Sequence, residues 1–448
     1  MRTPSEWAAL DLRHLWHPFT QHDEWAEEAM LIVDRAEGVE LIDVAGRRYL
    51  DGTSSLWCNV HGHRHPRIDA AVRAQLERVA HTTQLGLANT TAIALAARLA
   101  TLTGFPRVFY SDSGSTAVEV ALKMAFQAQQ QRGQTQRTRF AALTEAYHGD
   151  TIGSVSVGGI PLFHGIYKPM LFDAVRIPAP DRAGEGEAAL LAEAEALFHA
   201  HGDTIAAFVF EPLVQGAAGM RTHSPAFLEA LCHMARDAGA LLVADEVATG
   251  FGRTGTMFAI DQTAVRPDIL CIAKGLTGGY LPLAATLTTE AVFSAFRGPY
   301  NEWKTLFHGH TYTGNPLACA AALASLDLFE EDAIVAGLAP RIAALRDALA
   351  TLTHPAVRET RQIGLMAAIV LSPGPTDVRL AHRVSLACRD EGVVVRSLGD
   401  AVVVMPPLVM TPPDLQRIVA AVGAALTRVM GAATGRKEAD GAAGGTPR

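Results

Sequence analysis

Paired cysteines are missing from this chain. Its five cysteines, at 58, 232, 271, 319 and 388, are scattered and show no C-x-x-C spacing. That excludes a disulfide framework and points to a reducing cytoplasm. Positive charge is also short, with 38 Lys and Arg against 46 Asp and Glu and a formal net charge of -8. Such a balance leaves no basic stripe for a nucleic acid or an anionic membrane. No apolar run reaches the roughly 18 residues that a membrane-spanning helix needs. The first residues, Met1-Arg-Thr-Pro-Ser-Glu-Trp-Ala, lack the apolar stretch of a signal peptide. Internal repeats are absent too. What is plentiful is apolar material, 49% of 448 residues, with 19% charged. That is too much for one compact core, so two domains are expected, with further buried surface such as a subunit interface.

Residues 1–30 read as irregular, though Trp7, Trp16, Phe19 and Trp25 suggest that they pack onto something. Residues 31–50 read as hairpins with turns at Gly38 and Gly46. Helical periodicity covers 67–80 and 90–103. From 107 onward, strands (107–110, 139–144, 205–210, 240–244, 269–273, 281–288) alternate with helices (116–130, 187–201, 225–237). Continuous apolar strands between helices imply an α/β fold with a mostly parallel sheet covered on both faces. Helices over 330–352 and 377–391 and short strands near 363–371, 393–396 and 401–405 read as a smaller α+β unit. The expected division is an N-terminal segment 1–66 against the small domain and an interface, a large domain 67–325, a small domain 326–431 and a disordered tail 432–448.

Ligands of open α/β sheets bind beyond the carboxyl ends of the strands, and here those ends share a theme. Ser111-Asp-Ser-Gly-Ser-Thr116 opens into a helix, whose free N–H groups and dipole favour an anion. Thr116 and Glu119 also fit a capping box, so part of this is ordinary helix initiation. Glu145-Ala-Tyr-His-Gly-Asp150 puts an aromatic ring at the next strand end, Glu211-Pro212 and Asp245-Glu246 put carboxylates at two more, and Lys274 follows 269–273. A carboxylate ending a buried strand is costly unless it meets a cation. A lysine there has its amine pushed toward the neutral, nucleophilic form, although a snorkelling lysine is the plainer reading of that stretch alone. His61, His63 and His65 tempt a metal reading, but no acidic or thiol ligands stand at the right spacing, and Gly62 and Pro66 mark a loop. Gly250-Phe-Gly-Arg-Thr-Gly255 matches G-x-G-x-x-G, but three residues separate it from its strand and no obvious helix follows.

An anion cradle, an aromatic ring, a buried acid and a lysine are together what pyridoxal 5'-phosphate (PLP) needs. N–H donors hold its phosphate, a flat side chain stacks on its ring, a carboxylate keeps its pyridine nitrogen protonated, and a lysine takes its aldehyde.

These residues resemble the class III, fold-type I PLP-dependent aminotransferases. The resemblance runs from about residue 11 to 428. It is carried by Asp112-Ser-Gly-Ser115, Tyr147-His-Gly-Asp150, Glu211-Pro, Leu242-Val-Ala-Asp-Glu-Val247, Gly250–Gly255, Lys274-Gly and His308-Gly-His-Thr-Tyr-Thr-Gly-Asn-Pro316. It implies a large PLP domain with a smaller α+β domain and a homodimer with shared active sites. It makes Lys274 the covalent anchor of the cofactor and Asp245 the partner of its ring nitrogen. Gly114 and Ser115 hold the phosphate, Tyr147 stacks on the ring, and His310 and Thr311 reach the phosphate of the neighbouring subunit.

Within the family the chain resembles the branch that aminates 8-amino-7-oxononanoate in biotin biosynthesis. Arg13-His-Leu-Trp-His-Pro18, Ser54-Ser-Leu-Trp57, Val214-Gln-Gly-Ala-Ala-Gly-Met220, Leu276-Thr-Gly-Gly279 and Val404-Met-Pro-Pro407 carry that likeness. It implies that Arg396 binds the keto-acid carboxylate, that Leu56, Trp57 and Tyr147 line the channel, and that Gly309 touches substrate from the other chain. The S-adenosylmethionine-using members typically have Trp-Trp at Leu56-Trp57 and Tyr at Phe19, whereas a lysine-using branch looks more like this chain. The amino donor stays open between the two. An ω-amino acid or ornithine-type aminotransferase, and more remotely a nicotinamide oxidoreductase built on 250–255, are the alternatives.

Overall fold

The computed structural model describes residues 2–372 and 379–443, with side chains described up to residue 431. Its centre is a seven-stranded sheet. In spatial order the strands are Arg107–Ser111, Ala284–Thr288, Ile269–Ile272, Leu241–Asp245, Ile205–Phe210, Arg139–Leu143 and Ala174–Ile177. The Ala284–Thr288 strand runs antiparallel to both neighbours, while the strands from Ile269 to Ala174 in that order are mutually parallel.

The strands read as unbroken apolar runs because both faces are covered. In Ile205–Phe210 every residue is fully buried. Alternate side chains go to opposite faces. Ala207 and Val209 join Val243, Ile269 and Cys271 under the helix Gly114–Gln131. Phe208 and Phe210 join Leu242, Leu270 and Ile272 on the other face, with the helices Glu187–His201, Pro225–Asp237 and Pro316–Glu331. Truncating Phe208 to Ala should cost about 3–5 kcal/mol, because its neighbours cannot close the cavity.

A second, antiparallel sheet has the order Val357–Ile363, Met366–Leu371, Ala401–Val404, Arg396–Leu398. The N-terminal strands Val33–Glu37, Glu40–Asp43 and Arg48–Asp51 form a third sheet, completed by Val393–Val394 from far along the chain. The N-terminal segment is thereby fastened to the C-terminal part.

Several expectations need correction. Residues 1–30 hold the helices Pro4–His14 and His22–Glu27 rather than irregular chain. Thr3 caps the first with a reciprocal Glu6 contact and Pro4 opens it, which is ordinary helix initiation hidden by the aromatics. The helix expected over 330–352 is shorter, Ala339–Ala350, and a separate helix, Pro316–Glu331, precedes it, with Ala333 at φ 46 breaking the run between them. Of the helix expected over 377–391, residues 377 and 378 lie outside the described residues, and the remainder is the helix Leu380–Ala387 followed by a 3₁₀ turn, Cys388–Glu391. Ala174–Ile177 and Val357–Ile363 are further strands; both carry arginines that mask their apolar alternation. The backbone of Pro412–Ala443 stays helical into the segment expected to be a disordered tail, and 444–448 lie outside the described residues.

Candidate active site

The parallel strands end side by side, which brings residues far apart in sequence to one edge. Asp245 closes its strand in register with Cys271 of the next. Lys274 stands just past that strand and opens a 3₁₀ turn, Lys274–Thr277. Its φ of 45 is left-handed, an uncommon conformation for a residue that carries a Cβ, and one that clusters at functional positions.

The helix Gly114–Gln131 starts at the same edge. Its first N–H groups have no acceptor within the helix, and the Ser113 cap takes that of Thr116 at 3.3 Å. Gly114 and Ser115 line the cavity in front of it. A Cβ on Gly114 would meet Val247 Cγ1 at 2.5 Å, so only glycine lets this turn sit so close. The loop after Arg139–Leu143 crosses the helix start. Gly149, at φ +115, leaves no room for a Cβ, which would fall 2.3 Å from Ser115. Ser115 Oγ in turn lies 2.8 Å from Thr151 Oγ1 and accepts Thr151 N–H at 3.0 Å.

Asp245 is 4% exposed. Its Oδ1 accepts the Val247 N–H at 3.0 Å and its Oδ2 lies 2.7 Å from His148 Nδ1. An ionised carboxylate only accepts, so Nδ1 carries the proton of that contact. His148 Nε2 is buried with no partner among the described residues. Glu211, one strand over, accepts N–H bonds from Tyr147 at 3.1 Å and Gly216 at 3.0 Å. Burial pushes its carboxyl up to about 7, against the pull of His148. Burial also lowers the Lys274 ammonium, opposed by the charges of Asp245 and Glu211. A buried amine with its charged form disfavoured is suited to acting as a nucleophile and to exchanging a proton.

These groups line one cavity of about 800 Å³, together with Leu56, Trp57, Tyr147 and Val247. The Trp57 ring centroid lies 4.8 Å from Lys274 Nζ. Tyr147 donates to Asp150 Oδ2 at 2.8 Å, and burial raises its phenol further. A phosphorylated pyridine aldehyde fits this donor set. Free N–H groups and a helix dipole meet its anion, a buried acceptor meets its ring nitrogen, and an amine meets its aldehyde.

Of the expected site residues, Gly114, Ser115, Tyr147, Asp245, Lys274, Leu56 and Trp57 share this cavity. Phe19 and Arg396 line a neighbouring one, close enough that the Arg396 charge acts on Tyr147. The rings of Phe19 and Phe163 stand 5.4 Å apart, and Phe163 stands 6.3 Å from Tyr147, so aromatic side chains bridge the two cavities. Gly309, His310 and Thr311 line neither. They lie in a stretch that exposes Tyr300, Trp303, Phe307 and Tyr312.

His148 and Glu211 join the site beyond the expected residues, and both stand in the Tyr147–Asp150 and Glu211-Pro212 segments. The signal was the adjacency of His148 to Tyr147 and of Glu211 to a strand end. The glycine-rich 250–255 stretch does not open an α-helix and offers no helix start to a pyrophosphate. Instead Arg253 is 1% exposed and donates to the Pro406 carbonyl and to Ser54 Oγ. Of the three loop histidines, His61 sits 2.9 Å from Ser325 Oγ and His63 2.9 Å from Asp51.

The class-III aminotransferase family description matches residues 22–426. Adenosylmethionine-8-amino-7-oxononanoate aminotransferase of Nitratidesulfovibrio vulgaris is 54% identical over 441 residues, covering 94% of this chain and 81% of that protein. The enzyme of the same name from Geobacter sulfurreducens is 46% identical, covering 91% and 94%. The crystal structure of the enzyme of that name from Methanocaldococcus jannaschii superposes with a TM-score of 0.91 at 38% identity, covering 95% and 99%. A PLP-bound amine transaminase from an uncultivated Pseudomonas species gives 0.87 at 35%, covering 92% and 98%.

Proposed function

The chain belongs to the class-III aminotransferases, which are PLP-dependent, and from that premise we propose that it converts 8-amino-7-oxononanoate to 7,8-diaminononanoate in cytoplasmic biotin synthesis. The observation that carries the substrate is the 54% identity to a relative of that name along 94% of the chain. When bound, the cofactor supplies an electron sink for the charge left on the amino-bearing carbon.

The residues divide the work. Lys274 is the covalent anchor, and its freed Nζ carries the proton at the reacting carbon as general base and then general acid. Asp245 would keep the cofactor ring nitrogen protonated, and the His148 Nδ1 contact at 2.7 Å orients the carboxylate. Gly114 and Ser115 would hold the phosphate at the helix start. Tyr147 would pack on the ring, and Leu56, Trp57 and Phe19 would exclude water along the substrate path. Arg396 takes the substrate carboxylate. Its guanidinium is half-buried and forms no hydrogen bond or ion pair among the described residues, and burial disfavours its charge, so an anion gains a desolvated, charge-assisted contact.

Gly309, His310 and Thr311 act on the neighbouring subunit of a homodimer. The exposed Tyr300, Trp303, Phe307 and Tyr312 beside them suit a subunit interface. Sedimentation should return a dimer. The donor is S-adenosylmethionine, as in the relatives' name, with lysine as the competing donor because Leu56 and Phe19 depart from the adenosylmethionine pattern. The test is to load the purified protein with PLP and mix it with each donor, then with 8-amino-7-oxononanoate. Bleaching of the cofactor band by one donor and its return with the keto acid is expected. An ω-amino acid or ornithine-type specificity, favoured by the 35% identical amine transaminase structure, predicts bleaching by ω-amines and no return with 8-amino-7-oxononanoate.

A further inference from the structure

The wall of the cavity stands on unusual backbone. Ser54, Ser55 and Trp57 all have positive φ, at 49, 60 and 67, and Ser55 combines its 60 with ψ -79. Residues with a Cβ avoid this region. Such a conformation persists only where its surroundings over-determine it.

Every polar atom of Ser55 is engaged. Its N–H donates to Asp51 Oδ1 at 2.8 Å, and its hydroxyl donates to Asp51 Oδ2 at 3.1 Å. The same hydroxyl accepts from Asn59 Nδ2 at 3.0 Å, and its carbonyl accepts from Thr53 Oγ1 at 3.2 Å. Asp51 is 0% exposed and also takes the Thr53 N–H at 3.3 Å and the His63 ring at 2.9 Å. Ser54 is clamped from the other side, donating to the Met405 carbonyl at 2.8 Å and accepting from Arg253 at 2.8 Å. Leu56 and Trp57 come next, lining the cavity with the Trp57 ring over Lys274.

We propose that Asp51, acting through Ser55, is a positioning residue that sets substrate selection by holding the Leu56–Trp57 wall in its strained, pre-formed shape over the catalytic lysine. The wall is the part of the cavity that a donor or acceptor must pass, whereas the cofactor groups at 113–115, 245 and 274 stand on the sheet edge, on other elements. Holding the wall in advance lowers the ordering cost of binding. Releasing it should weaken binding and blur the choice between donors while leaving the cofactor groups in place. The inference rests on the proposed reaction only for the identity of the substrates.

The test compares wild-type holoenzyme with Asp51→Asn and Ser55→Ala. Both variants are expected to raise KM for donor and acceptor about tenfold with kcat changed less than about threefold, the split that marks lost uniform binding. The position of the cofactor band and cofactor retention on gel filtration are expected to be unchanged. Acrylamide quenching of Trp57, obtained by difference against the same proteins carrying Trp57→Phe, is expected to rise. The ratio of kcat/KM for S-adenosylmethionine and lysine should move toward unity. Should Asp51→Asn fail to fold, Ser55→Ala decides. Unchanged KM and quenching would overturn the proposal, as would a fall in kcat and cofactor retention parallel to the rise in KM. Absence of turnover with 8-amino-7-oxononanoate in the wild type would instead sink the substrate assignment, and the clamp would still be read from Trp57 quenching and from kinetics with an ω-amine.

Discussion

The floor of the cavity and its wall are built by opposite means. The floor residues stand where ordinary strands and an 18-residue helix end or begin, so the hydrogen-bond ladders of the sheet place Asp245 and Lys274 for them. The wall is a short stretch with three left-handed side-chain-bearing residues in four, kept there by a buried carboxylate and serine hydroxyls. The difference teaches where a protein puts chemistry and where it puts choice. Proton transfer at a fixed point needs a rigid frame. Selection among substrates of different length is served by a loop whose shape is set by a few side-chain contacts, and which changes without disturbing the frame.

Breaking the floor should have the largest effect. Lys274→Ala should lower turnover by about a thousandfold or more, since both the covalent anchor and the proton carrier are lost; stopped-flow half-reactions would show this, and near-normal rates would contradict it. Next, Asp245→Asn should lower kcat by about a hundredfold and change the pH dependence of the cofactor band, leaving the fold intact. Arg396→Ala touches neither floor nor wall. It should raise KM for the keto acid about ten- to a hundredfold, the loss of a charge-assisted contact, with little change for a donor half-reaction.

The smallest effect sharpens how wall and floor are joined. His61, on the wall segment, is bonded to Ser325 behind the lysine turn, and burial lowers its ring to about 3. A lowered histidine contributes stability above the unfolded value near 6.5 that is lost as pH falls, because only the unfolded chain takes up the proton. Glu211 and Glu246, raised to about 7 by burial, work in the other sense, costing stability as pH climbs from about 4.5 to 7. His61→Asn removes the histidine's share, so it should make the change in stability on going from pH 7 to 5.5 more favourable than in the wild type by on the order of 1 kcal/mol. Urea midpoints at the two pH values read the difference, and parallel slopes for both proteins would count against it.

The floor was legible in the sequence because each member follows an apolar run that stops abruptly. Ile269–Ile272 and Leu241–Asp245 announce themselves by hydrophobicity, and the chemistry of the next residue completes the reading. The N-terminal helices are harder to see, because Trp7 interrupts the polar face while the start signal rests on Thr3, Pro4 and Glu6 alone. His148 was passed over because nothing local shows that its ring meets Asp245, 97 residues away. The wall was legible only as residue identities at 56 and 57. Neither Ser55's backbone nor Asp51's four contacts leave a periodicity to detect, since they depend on Asn59, His63 and Thr53 converging in space. The glycine-rich setting of Arg253 imitates a phosphate loop, but the missing helix after it already argued against one, and the buried guanidinium instead joins Ser54 to Pro406.

The central claim is that Lys274 is the covalent anchor and proton carrier. Borohydride reduction of the PLP-loaded protein, followed by peptide mass spectrometry, tests it most directly. The expected result is one modified peptide bearing the reduced cofactor on Lys274, lost in Lys274→Ala. Modification at another lysine, or none, would contradict the account.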